Sequence, residues 1–223
     1  MTRSSNAPAP SERPLHVTIL GGTGKTGRHV VDQALQAGHH VTVLARTPSK
    51  LDVTHERLRV VKGDVQDPAA VSEAIAGSSA VLSVLGPTQN TPDYQVSRGT
   101  VHVLEAMKSH GVKRLVISAG AGVGGDGDQP KLFNHVISFV LKLAARHVLE
   151  DMTRTVAAVR SSSLDWTVVR VPMLTDGPAT GTVRVGRVGV NTGARITRAD
   201  MARFMLEQLH DASHVRASPV ISN

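Results

Sequence analysis

Residues 16–27 read His-Val-Thr-Ile-Leu-Gly-Gly-Thr-Gly-Lys-Thr-Gly. A short apolar run meets a glycine-rich turn. Beyond it Val30, Val31, Ala34 and Leu35 recur at helical spacing up to Gly38. The periodicity thus changes from that of a buried strand to that of a helix across the turn. Gly21, Gly24 and Gly27 are evenly spaced within it. The first glycine permits the tight turn, the second lets backbone approach a pyrophosphate, and the third lets the helix pack close to the strand. The helix N-terminus then presents free N–H groups and partial positive charge to phosphates. The hydroxyls of Thr23 and Thr26 can add donors. Such a turn can also be purely structural; its place between a strand and a helix, at the head of an alternating pattern, points to a dinucleotide. Gly24-Lys25-Thr26 is not a nucleoside-triphosphate loop, which requires glycine where this chain has Ile19.

Working outward, His40–Ala45, Leu58–Val61, Ala80–Leu85, Leu115–Ile117 and Trp166–Val171 read as further strands. Between them, a helix opens at Pro68 with Val71, Ala74 and Ile75 inward, and another spans residues 94–110 with Val101, Leu104 and Met107 inward. This alternation predicts an α/β fold: a Rossmann-type doubly wound parallel sheet with helices on both faces. Its binding crevice lies at the carboxyl ends of the strands. Residues 121–130 read as a flexible Gly/Asp loop. Residues 131–160 read as helical with one break, and Thr182–Val185 as a strand. Thr197-x-x-Asp200 resembles a capping box before a helix that turns Ala202, Met205, Leu206 and Leu209 inward. No second core is visible. The expectation is a single domain over 15–223, with a small C-terminal substrate region from residues 121–160 and 172–196. Residues 1–14 are polar and Pro-rich and read as a disordered tail.

The end of the second strand selects the cofactor. An acidic residue there would hold a ribose 2′-hydroxyl. Here Arg46 is followed by Thr47, Ser49 and Lys50. Arg46 can stack on adenine and pair with a 2′-phosphate, with Lys50 assisting, which favours NADP(H) over NAD(H). The competing reading is a solvated arginine at a strand end.

Composition removes other classes. The 223 residues include no cysteine, which excludes disulfides, thiolate metal sites and cysteine nucleophiles. The aromatic residues are Phe133, Phe139, Phe204, Tyr94 and Trp166, too few for a base-stacking platform. The net charge of +7 is scattered rather than clustered, which suits a mild pull on anionic ligands and not a nucleic-acid partner. No run approaches the ~18 apolar residues of a membrane helix, and the first residues lack the apolar stretch of a secretory signal. A cytoplasmic protein with no membrane partner is expected. His210 and His214 lack a third ligand, Asp126 and Asp128 lack the rest of a calcium loop, and no GxSxG occurs. No metal is expected.

GGTGKTG, VTVLAR, GDV, SVLGP, GVKRLVIS and SLDWTVVRVPMLTDGP follow one another in that order. Over about residues 15–210 this succession resembles the atypical short-chain dehydrogenase/reductase superfamily. Within it, the chain resembles the NmrA-like group and most closely the biliverdin reductase B/flavin reductase branch. The resemblance implies that Asp64 and Val65 border the adenine and that Leu85 and Gly86 run alongside the cofactor. It also implies that Ser118, Ala119 and Gly120 lie near the nicotinamide, with Pro172, Met173 and Leu174 on its other side. Together with Gly21, Thr23, Gly24, Lys25, Thr26, Gly27, Arg46 and Lys50 these form the expected cofactor site. Ser118 can equally be a strand-end serine bonded to backbone. The close relatives suggest a monomer.

The chain departs from that family in one respect. It has no Tyr-x-x-x-Lys pair, the arrangement that lowers a tyrosine pKa for proton transfer to a carbonyl. Its single tyrosine, Tyr94, stands four residues before Arg98 and in another segment. The family's Lys-like or His-like pocket positions align with Met152 and Met173. An apolar pocket without an acid suits an acceptor that needs little protonation by protein, a flavin or a quinone, with the nicotinamide supplying the hydride. The catalytic residues stay unassigned. The alternative is an NmrA-like sensor that binds NADP(H) and reports redox state without turnover.

Overall fold

Gly21 adopts φ +83° directly after strand β1 (His16–Leu20), turning the chain into helix α1 (Lys25–Gln36). The computed structural model describes residues 13–125, 127–129 and 145–223. Helix α1 ends as the sequence anticipates. Gly38, at φ +89°, donates to Leu35 O, and His39 donates to Ala34 O, a Schellman closure that satisfies the last carbonyls. Strands β2 (His40–Ala45) and β3 (Leu58–Lys62), helix α2 (Pro68–Ile75) and strand β4 (Ala80–Ser83) follow. Asp67 caps α2 by accepting from the Ala69 amide at 2.9 Å, ahead of Pro68 at the first helical position. Then come α3 (Gln95–Ser109), β5 (Arg114–Gly120), α4 (Arg146–Arg160) and β6 (Asp165–Val171). The C-terminal part holds β7 (Met173–Thr175), β8 (Arg184–Gly186), β9 (Arg195–Thr197), α5 (Arg198–Glu207) and β10 (Val220–Ser222).

The main sheet runs β3-β2-β1-β4-β5-β6-β10-β8, parallel except where β8 pairs antiparallel with β10; β7 and β9 form a separate parallel pair. Adjacent side chains on one strand serve opposite layers. Leu115 and Ile117 enter the core under α2, α3 and α4, while Val116 between them enters the core under α1 and α5. Both faces are covered, which is why the strands are nearly continuous apolar runs. Strand order reverses between β1 and β4, so their carboxyl ends splay apart and open a crevice there.

The structure corrects several local expectations. Val101 is 44% exposed; the inward stripe of α3 is Val96, Gly99, Thr100, Val103 and Met107. A small Gly–Thr pair faces the sheet because Gly99 lies against Val65, where a Cβ would collide. The fourth strand stops at Ser83, and the late strand expected over Thr182–Val185 is displaced to 184–186. In the expected loop, the described residues 121–125 and 127–129 make specific contacts that the composition does not suggest. Ala121–Val123 form a 3₁₀ turn, and Asp128 is held by the Arg170 guanidinium at 2.6 and 3.0 Å and by the Gly125 and Val188 amides. Of the long helical stretch, residues 146–160 are helix α4, and 131–144 lie outside the described residues. So does most of the expected tail, residues 1–12. The Thr197 cap of α5 forms as expected, accepting from the Asp200 amide at 3.1 Å. His210 stacks on His39 while His214 bonds Ser213 and Gln208, so the two do not converge.

Candidate active site

A cavity of about 540 Å³ lies at the carboxyl ends of β1 to β4. The glycine turn forms its floor. Gly24 is the N-cap of α1, no side chain caps that helix, and no acidic residue stands in its first turn. The leading N–H groups and the positive end of the helix are therefore available to an anion. A Cβ on Gly27 would collide with Gly21 O, and one on Gly24 would stand 3.3 Å from the same oxygen. The close packing assigned to Gly27 is thus physically required, whereas Gly24 leaves its backbone open without being sterically forced. This donor set fits a pyrophosphate.

Of the expected site residues, Gly21, Thr23, Gly24, Arg46, Lys50, Asp64, Val65, Leu85 and Gly86 line the cavity. Their segments are far apart in sequence and meet because four parallel strands end at one level. Arg46 and Lys50 supply positive charge on the β2 side. Arg46 Nε stands 3.8 Å from Asp64 Oδ2, both side chains well exposed, so the pair is weak and free to rearrange. Gly27 is buried behind the turn and Thr26 is half-buried. Lys25 points outward to Asp176 at 3.5 Å, and Arg198 reaches the same carboxylate at 2.7 Å.

The residues expected around the nicotinamide are not among the cavity's lining. Ala119 is packed in the sheet core, Ser118 is half-buried and Gly120 exposed, all on β5. Pro172 is half-buried, Leu174 packs against the α1/α5 core, and Met173 is 63% exposed at the start of β7. Met152, expected in the substrate pocket, is instead a core side chain between α4 and the sheet. Helical phase explains this: Asp151, one residue earlier, takes the cavity side and turns Met152 inward.

Among the cavity residues that were not legible as such in the sequence, Asp151 and Tyr94 carry the most specific contacts. Asp151, buried on α4, accepts from the Ser97 amide at 2.8 Å and from the Val96 amide at 3.1 Å. It supplies the cap that α3 lacks locally, because its N-cap residue is Tyr94. Tyr94 also lines the cavity and donates its hydroxyl to Glu150 Oε2 at 2.9 Å. That bond raises the phenol pKa. The same bond, with Arg154 at 2.8 Å, holds the Glu150 carboxyl below its ordinary range. Such a phenol is a poor acid, which agrees with the missing Tyr-x-x-x-Lys chemistry. Asn90, in the same β4–α3 loop, accepts the His147 and Val148 amides at 3.0 and 3.3 Å and caps α4.

Residues 21–212 match the NAD(P)H-binding family. The chain belongs to that family. Membership makes a nicotinamide dinucleotide its cofactor, in accord with the anion-ready turn. Oxidoreductase AgnL4 of Paecilomyces divaricatus is 29% identical over 162 residues, 64% of this chain and 60% of its own length. A chloroplastic protein of Arabidopsis thaliana is 29% identical over 181 residues, 75% of this chain and 62% of its own. The chain thus spans about three-fifths of the length of these curated relatives. Among solved structures, a short-chain dehydrogenase/reductase from Veillonella parvula in complex with NADP superposes with a TM-score of 0.78. It covers 94% of both chains at 19% identity, a likeness of fold. Among the described residues, no helix is long and apolar enough to cross a membrane.

Proposed function

We propose that the protein is an NADPH-dependent oxidoreductase that passes hydride to a planar conjugated acceptor of the flavin or quinone type. The observation that carries this reading is the pairing of a glycine cradle with Arg46 and Lys50 on the β2 side of one cavity, while the only tyrosine is tied to a carboxylate. The bound cofactor supplies the hydride. The chain's residues bind and orient. The α1 N-terminus and the backbone at Gly24 receive the pyrophosphate. Arg46 leaves Asp64 to pair with the 2′-phosphate, a two-pronged contact that a lysine could not reproduce. Asp64 and Val65 border the adenine, and Leu85 and Gly86 flank the extended cofactor. The nicotinamide end lies toward the carboxyl end of β5, where Ser118 and Gly120 reach the surface, and toward Pro172 and Met173 after β6. The acceptor class draws its support from the resemblance to the biliverdin reductase B/flavin reductase branch over about residues 15–210. It also fits a tyrosine tied to a carboxylate, because a reduced flavin or quinone can take its proton from water.

The test is NADPH oxidation followed by nicotinamide absorbance, with and without FMN or menadione, and with NADH as control. Acceptor-dependent oxidation that prefers NADPH supports the reading. Tight NADP⁺ binding by calorimetry, with no turnover on either acceptor, overturns it in favour of an NADP(H)-binding sensor.

A further inference from the structure

Tyr94 is the one tyrosine of the chain and the one aromatic side chain among the described cavity residues. It is held in unusual detail. Its backbone sits in the left-handed region, at φ +49° and ψ +41°, which disfavours a residue with a bulky side chain and recurs where a binding site demands it. Its hydroxyl is bonded to Glu150. The Arg154 guanidinium carbon stands 3.8 Å from the ring centroid and covers one face, and the same guanidinium bonds Glu150. His147 meets the ring nearly edge-on, with centroids 6.4 Å apart. Glu150 and Arg154 are one turn apart on α4, so the helix itself sets the clamp. Packing alone does not call for this arrangement, because the ring is half-exposed and belongs to neither core.

We propose that Tyr94 is the stacking wall for the planar acceptor, in the part of the cavity lined by the β4–α3 loop. This rests on the reading of hydride transfer to a conjugated acceptor. Arg154 backs the ring on one side and the other side receives the ligand. A ring already fixed by its hydroxyl and its partner cation loses little freedom when a ligand stacks on it. The cofactor's phosphates and adenine stay with Arg46, Lys50 and the glycine turn at the opposite end. Tyr94 therefore governs the acceptor and not the cofactor.

The experiment uses the full chain, with FMN and menadione as acceptors and NADP⁺ binding measured by calorimetry. Tyr94→Asn removes the ring yet suits the left-handed backbone, and Tyr94→Gly does so a second way, so neither endangers the fold. Both are expected to raise the acceptor KM about tenfold or more while NADP⁺ affinity holds within about twofold. Tyr94→Phe restores the ring and recovers most of the loss. An acceptor KM that is the same in wild type and in the ring-less variants overturns the proposal while leaving the oxidoreductase reading in place. A Tyr94→Phe variant whose kcat falls as far as that of Tyr94→Asn also overturns it, by making the hydroxyl the working group. Failure of the wild type to reduce either acceptor removes both readings, and intact NADP⁺ binding in the same samples separates that result from a damaged protein.

Discussion

Asp151 Oδ1 stands 2.8 Å from the Ser97 amide nitrogen, so a carboxylate on α4 caps the first turn of α3. Charge-assisted bonds at a helix N-terminus are among the stronger ones in a protein. Asp151→Ala leaves two buried amides unsatisfied. It is expected to lower stability by about 2 kcal/mol, measured as a shift in the urea midpoint with unchanged slope. Asp151→Asn keeps an acceptor and should lose about half as much. A change below about 0.5 kcal/mol in the alanine variant would mean that water replaces the carboxylate.

The Arg46 side chain lines the cavity on the β2 side, beside Lys50. Arg46→Asp is expected to weaken NADPH binding at least about tenfold and NADH binding far less, because only the former carries the phosphate. Calorimetric titration of both cofactors decides the matter. Equal losses would remove Arg46 from phosphate recognition.

Gly24 and Gly27 differ in what a side chain would meet. A Cβ at Gly27 runs into the Gly21 carbonyl oxygen, whereas Gly24 has moderate space. Gly27→Ala should therefore unfold or strongly destabilise the protein. Gly24→Val should melt near the wild-type temperature yet bind neither NADPH nor NADH. If the Gly24 variant binds cofactor normally, the pyrophosphate does not lie on this turn.

Asp128 and Arg170 form a two-pronged pair in which the arginine side chain is 1% exposed. Burial pushes the Asp128 carboxyl up, but the Arg170 bond and charge and the Val188 and Gly125 amides outweigh it and hold it below its ordinary value of 3.8. A carboxylate depressed in the folded state contributes stability above its unfolded pKa and loses it as pH falls through the folded one. Asp128→Asn, which strands a buried guanidinium, should lower stability by about 3 kcal/mol at neutral pH. The gap in melting temperature between wild type and variant should shrink only below about pH 4. A gap that is flat down to pH 2 or so would show that the charge of Asp128 plays no part.

By itself the sequence determined the layer structure. Strands buried on both faces read as unbroken apolar runs, and α1 announced its phase through Val30, Val31, Ala34 and Leu35. Gly21 and Gly27 are legible because a left-handed backbone at the first and a colliding Cβ at the second admit no other residue there, and Gly24 because it completes their even spacing. Arg46 is legible because its distance from the turn is set by one helix and one strand. These are local constraints, written within about 30 residues of chain.

Tertiary structure decided what local patterns do not encode. Tyr94 looked misplaced when judged by sequence separation from a lysine, but the β4–α3 loop brings it against Glu150 and Arg154, 56 and 60 positions away. Asp151 takes the cavity position that alignment gives to Met152, because one helical step of about 100° separates core from cavity. Asp128 lay in a stretch that composition marks as loose, and it is fixed only because Arg170 on β6 is buried beneath it. For Tyr94 and Asp128 the deciding partners are remote in the chain, and the packing of α4 and β6 onto the sheet brings them together.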